Sequence, residues 1–128
     1  MGMVVRSEER RDFSRIAFHC AADLGARGVT IPCELLDVSL TGALVRVPLA
    51  ARLRIGEPCC VIARLDGGGT IIRMAGAVVH RVADTLGVRC DRVDLDGIVH
   101  LRRLLELNLG DEHLLDREMA ALLARRAG

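Results

Sequence analysis

Two short stretches hold side chains whose types and spacing could grip a ligand that carries negative charge and hydrogen-bonding edges. The first, Arg10-Arg11-Asp12-Phe13-Ser14-Arg15, has the spacing R-x-x-x-R at Arg11 and Arg15. Each guanidinium is a planar, permanently charged fork that can meet two oxygens at once. The second, Asp37-Val38-Ser39-Leu40-Thr41-Gly42, joins a carboxylate with two acceptor oxygens, a hydroxyl and a turn residue. Neither stretch is specific alone. Arg6 and Arg10 repeat the R-x-x-x-R spacing, and all 18 basic residues of the chain are Arg. The second stretch also reads as a plain hairpin turn, in which Asp37 and Ser39 bond nearby backbone N–H groups and Gly42 supplies a positive φ.

The elements that must position these residues follow from periodicity. Residues 1 to 15 are mostly polar, with no sustained period after Val5, and read as a flexible arm. From Ile16 onward, short β-rich runs cover 16–24, 29–38, 43–47, 59–65, 70–82 and 87–93. Turn chemistry separates them at Gly25-Ala26-Arg27-Gly28, Ser39-Leu40-Thr41-Gly42, Asp66-Gly67-Gly68-Gly69 and Ala83-Asp84-Thr85. A flat sheet of such strands would leave two open edges, which closure into a small antiparallel barrel removes. Beyond Asp94 the period changes, with Ile98, Leu101, Leu104, Leu105 and Leu109 on one helical face and Asp96 the expected cap. Asn108-Leu109-Gly110 interrupts, and a second stripe of Leu114, Leu115, Met119, Leu122 and Leu123 follows. The expected fold is therefore mainly β: a six-stranded antiparallel β-barrel over one domain, 16–128, with C-terminal α-helices from about residue 95 and the arm 1–15 contributing to the ligand site.

Composition narrows the function. A chain of 128 residues suits one domain with its own core, and no apolar run approaches the roughly 20 residues of a membrane span. The N-terminus lacks a signal-peptide pattern, so a cytoplasmic protein is expected. Cys20, Cys33, Cys59, Cys60 and Cys90 include no C-x-x-C pair and read as small buried residues, with neither metal nor cofactor implied. A net charge of +1 gives no general field for a long polyanion, and two Phe with no Tyr or Trp argue against a barrel that stacks single-stranded DNA or RNA. Catalysis has no anchor: Ser39 lacks a G-x-S-x-G setting, Asp66-Gly67-Gly68-Gly69 lacks the Lys-Ser/Thr of a phosphate loop, and Asp91, Asp94 and Asp96 read as helix caps and dipole partners. A binding protein, not an enzyme, is expected.

Taken in order, Arg11-x-x-x-Arg15 followed by Asp37-x-Ser39-x-x-Gly42 resembles the two-part signature of the PilZ family of cyclic di-GMP receptors. The tail, from Asp94-Leu95-Asp96 through Leu101-Arg102-Arg103-Leu104 to Leu114-Leu115, is similar to the helical end of short, stand-alone members. The resemblance implies a six-stranded barrel and assigns Arg11, Arg15, Asp37, Ser39 and Gly42 to the dinucleotide. It also implies that Arg10, just before the motif, favours a stacked nucleotide pair, and that His80 stands where close relatives often carry a Trp beside the ligand. The chemistry fits. Guanine offers N1–H and N2–H donors to a carboxylate on one edge and O6 and N7 acceptors to an arginine on the other, while further guanidiniums can meet the two phosphates. Ordering about ten arm residues costs roughly 10 to 20 kcal/mol against about 1.5 to 3 for each charge-assisted hydrogen bond. The arm is thus expected to close only with ligand and so to alter the surface offered to a downstream protein partner. The alternative is a PilZ-like adaptor that binds proteins and no nucleotide.

Overall fold

The structure is a computed structural model that describes residues 13–48, 52–65 and 69–127. Six strands, β1 (Ile16–Ala26), β2 (Val29–Val38), β3 (Gly42–Arg46), β4 (Pro58–Arg64), β5 (Ile71–Val82) and β6 (Thr85–Val93), precede two helices, α1 (Leu95–Leu109) and α2 (Glu112–Ala127). The strands close into a barrel in the order β1-β2-β3-β6-β5-β4, with β4 returning to β1, and every neighbouring pair is antiparallel. Closure satisfies the backbone groups that an open sheet would leave at its edges.

Alternation along each strand fills the interior. Leu24, Leu35, Val45, Val61, Ala63, Ile72, Met74, Leu86 and Val88 are all buried, an aliphatic filling that suits the narrow bore of a small barrel. The β1–β2 hairpin turns through Arg27 (φ 56°) and Gly28 (φ 75°), the two positive φ values that a two-residue type I′ turn requires. The Arg27 side chain pairs with Glu57.

Helix α1 packs against β5 and β1, burying Leu101 and Leu105 with Ile98, Leu104 and Leu109 at the margin. The cap is Asp94 rather than Asp96: Asp94 is extended, and its carboxylate accepts from the Gly97 N–H at 2.7 Å. Asp96 lies one residue inside the helix, where its charge faces the positive end of the dipole. Gly110 ends α1 in the left-handed conformation, its N–H donating to the Glu106 carbonyl. On α2 the buried face is Leu115, Glu118 and Leu122, with Met119 packed against the core. Leu123, expected on that face, points outward at 62% exposure. Among the described residues, no helix is long and apolar enough to cross a membrane.

Candidate functional site

Irregularities in strand pairing place the chemistry-bearing residues. Between Leu35 and Asp37, β2 gains one residue over β3, and between Ala17 and Cys20, β1 gains one over β2. Such bulges bend the strand and re-aim its side chains. Asp37 stands at the bulged end of β2, opposite the start of β1. Arg15, one residue before β1, reaches across, and its Nη1 donates to Asp37 Oδ1 at 2.6 Å. The carboxylate is partly shielded at 21% side-chain exposure and the guanidinium is 39% exposed.

The three-residue connection Ser39-Leu40-Thr41 is built into the core and does not hang over it. Leu40 is fully buried and Ser39 is 2% exposed. Ser39 N–H donates to the Gly42 carbonyl at 2.9 Å, Thr41 N–H donates to Ser39 Oγ at 3.2 Å, and Cys90 N–H donates to the Thr41 carbonyl at 2.8 Å. The turn is thereby tied to β6. Gly42 does not take the positive φ that a plain hairpin turn would give it. Glycine keeps this spot uncrowded: a Cβ would sit 3.0 Å from the Val88 carbonyl oxygen, a tight approach, and 3.7 Å from Arg15 Nη2, an ordinary contact.

A cleft of about 510 Å³ opens beside this turn, lined by Arg15, Ser39, Gly42, His80 and Arg89 over an apolar base that includes Phe13 and Val88. A second pair of bulges shapes its far wall. Asp91 is the extra residue on β6, between the partners of Ala75 and Gly76, and Val79 is the extra residue on β5, between Val78 and His80. His80 is exposed at the rim. A Cβ at Gly87 would lie 2.9 Å from the His80 Cβ, so the bare backbone of Gly87 admits the imidazole.

The fold therefore gathers Arg15, Ser39, Gly42 and His80 around one cleft, with Asp37 immediately behind Arg15. Arg10 and Arg11 lie outside the described residues. Sequence reasoning missed Arg89, whose Nε and Nη2 donate to the two carboxylate oxygens of Asp91 at 2.8 and 3.2 Å. That hydrogen bonding pushes the guanidinium further up from its ordinary range, and Arg89, charged like every arginine, puts a cation paired with Asp91 on the wall. The signal available was strand alternation: Leu86, Val88 and Cys90 face inward and Arg89 outward.

Residues 9–107 match the family model described as PilZ domain. Among solved structures, the chain is similar to the Bacillus subtilis inhibitor of motility MotI/DgrA, at 15% identity and a TM-score of 0.66 over 80% of this chain. It spans about half (53%) of that protein. It is similar to the PilZ domain of CeSA from a cellulose-synthesizing bacterium, at 17% identity and a TM-score of 0.58 over 76% of this chain and 98% of that one. It also resembles the PilZ domain of Escherichia coli YcgR, solved with cyclic di-GMP, at 19% identity and a TM-score of 0.58 over 74% of this chain and 88% of that one.

Proposed function

Because the chain belongs to the PilZ domain family, we propose that it is a receptor for cyclic di-GMP that takes the dinucleotide into the cleft beside the Ser39–Gly42 turn and presents the altered surface to a protein partner. The observation that carries this reading is the meeting of Arg15 with Asp37 on the edge of a cleft that also holds Ser39, His80 and Arg89. The carboxylate of Asp37 has the paired acceptors that the N1–H and N2–H edge of guanine needs, and Oδ1 can keep its bond to Arg15 while accepting another. Arg15 and Arg89 supply forks for O6 and N7 or for phosphate, and His80 offers a flat face at the rim. Arg10 and Arg11 join the proposed ligand set on the motif alone, as does closure of the arm. The E. coli YcgR domain, with the same fold, was solved with this dinucleotide, and the B. subtilis neighbour's description as an inhibitor of motility makes a protein partner a reasonable output.

Titration calorimetry with cyclic di-GMP tests the reading. The wild type should bind, GMP should compete poorly, and Arg15→Ala and Asp37→Ala should each weaken binding by about tenfold or more, the effect of one charge-assisted hydrogen bond. A wild type that gives no specific heat would make the chain a protein adaptor. An Arg15→Ala/Asp37→Ala double variant that binds as well as wild type would move the site elsewhere.

A further inference from the structure

Ser14, the residue before Arg15, is fastened to the far end of the chain. Its backbone N–H and its Oγ both donate to Oε2 of Glu118 on α2, at 2.8 and 2.5 Å, across 104 residues of sequence. Glu118 is only 4% exposed, and its Oε1 is buried with no hydrogen-bond partner among the described residues. This is a costly placement. Burying a carboxylate costs desolvation that its hydrogen bonds must offset. Leu115 and Leu122, three residues before and four after, are buried on the same helical face, so an apolar residue at 118 would complete the stripe and pack more favourably.

We infer that Glu118 is a positioning residue for the nucleotide site, which holds Ser14 and so Arg15 in place and makes the docking of α2 depend on whether the site is filled. The inference rests on the receptor reading above. Between Phe13, which is buried in the core, and Ile16, which opens β1, only Ser14 and Arg15 span the gap. Glu118 fixes the first of these and Asp37 engages the second. Helix α2 packs chiefly on α1, to which Arg102 adds a hydrogen bond to Asp116 at 2.5 Å. The tie of Glu118 to Ser14 is the one that reaches the residue next to Arg15, so α2 answers to a change there. Linkage is reciprocal: if Glu118 favours the arrangement that binds nucleotide, nucleotide must in turn favour the docked α2. The last helix thereby becomes the part of the surface that reports occupancy.

Amide exchange and cyclic di-GMP titration on wild type, Ser14→Ala, Glu118→Ala, Glu118→Gln and the Ser14→Ala/Glu118→Ala pair decide it. Without nucleotide, Glu118→Ala should speed exchange at residues 14–16, and Ser14→Ala should speed it in α2. Glu118→Ala should weaken binding about tenfold and Ser14→Ala, which keeps the backbone donor, about threefold. Glu118→Gln, which retains an acceptor, should fall between Glu118→Ala and wild type. Ser14→Ala should add nothing in the Glu118→Ala background. Saturating nucleotide should slow exchange in α2 of the wild type and leave Glu118→Ala unchanged. Should Glu118→Ala fail to fold, Ser14→Ala alone carries the affinity and exchange readouts. A wild type that binds, with the variants binding equally or their effects adding, or with α2 exchange unmoved by ligand, overturns this inference alone. A wild type that takes up no cyclic di-GMP overturns it together with the receptor reading.

Discussion

Arg15 and Asp37 are separated by 22 residues and meet at 2.6 Å, and the two motifs that contain them become one site through that contact. Ser39 plays a different part. Its hydroxyl accepts from Thr41 N–H inside the turn and the residue is 2% exposed, so it braces the turn and offers a ligand little surface. Ser39→Ala should lower stability by about 1 kcal/mol, the worth of one neutral hydrogen bond, and should weaken cyclic di-GMP binding less than Asp37→Ala. Urea unfolding and the same titration check this, and an affinity loss as large as that of Asp37→Ala would show that the hydroxyl acts on the ligand. Arg15, Asp37, Ser39 and Gly42 were legible in the sequence because their order and spacing are specific when combined. Arg89 was not, since it is one of 18 arginines. Glu118 left a fainter mark: an acid at the position between Leu115 and Leu122 where a helical stripe calls for an apolar side chain.

Strand β5 and its partner β6 show how an element can depend on a missing side chain. A Cβ at Gly76 would collide with the backbone carbonyl of Arg89 and lie 2.8 Å from its carbonyl carbon, at the bulge where Gly76 pairs with Cys90 and Asp91 is the extra residue. The colliding atoms are backbone and cannot swing aside. Gly76→Ala should therefore destabilise the barrel by about 3 kcal/mol, the upper range for overpacking, whereas Gly25→Ala, whose nearest contact would be 3.9 Å, should leave stability level or raise it slightly, because alanine has less backbone freedom to lose on folding. Denaturant midpoints for the two variants give the comparison, and equal midpoints would sink the account. At this scale the six strands and both helices were legible, because β-rich runs are cut by turn residues and the period changes after Asp94. The bulges were not. A bulge shifts which residues face each other across two strands, and the sequence of one strand does not contain its partner's register. The Asp94 cap was misplaced by two residues for a related reason: Asp94 and Asp96 are chemically equivalent, and only the backbone conformation at 94 separates them.

For the molecule as a whole, closure of the barrel followed from the need to protect strand edges, whereas the contact of residue 14 with residue 118 had no local signature, because long-range partners are chosen by the packed fold. Composition sets one further global property. With no Lys and no Tyr, the side chains left to titrate between about pH 9 and 12 are the thiols. Burial pushes Cys33 up to about 12, Cys59 to about 11 and Cys90 to about 12, and raises Cys20 as well, from an ordinary value of 9.0. In that window the unfolded chain has released protons that the folded chain still holds, so stability is fully present below pH 9 and falls as pH rises through the folded values. A buried thiol such as Cys90 tilts stability by at most about 1.4 kcal/mol per pH unit there, and the more exposed Cys20 and Cys33 contribute less. Urea unfolding under reducing conditions should show a stability plateau to about pH 9 and a steep decline above it. Cys90→Ala should make that decline shallower, whatever its own effect on stability at neutral pH. A Cys90→Ala profile parallel to wild type from pH 9 to 11 would mean that the thiol loses its proton as readily in the folded barrel as in the open chain.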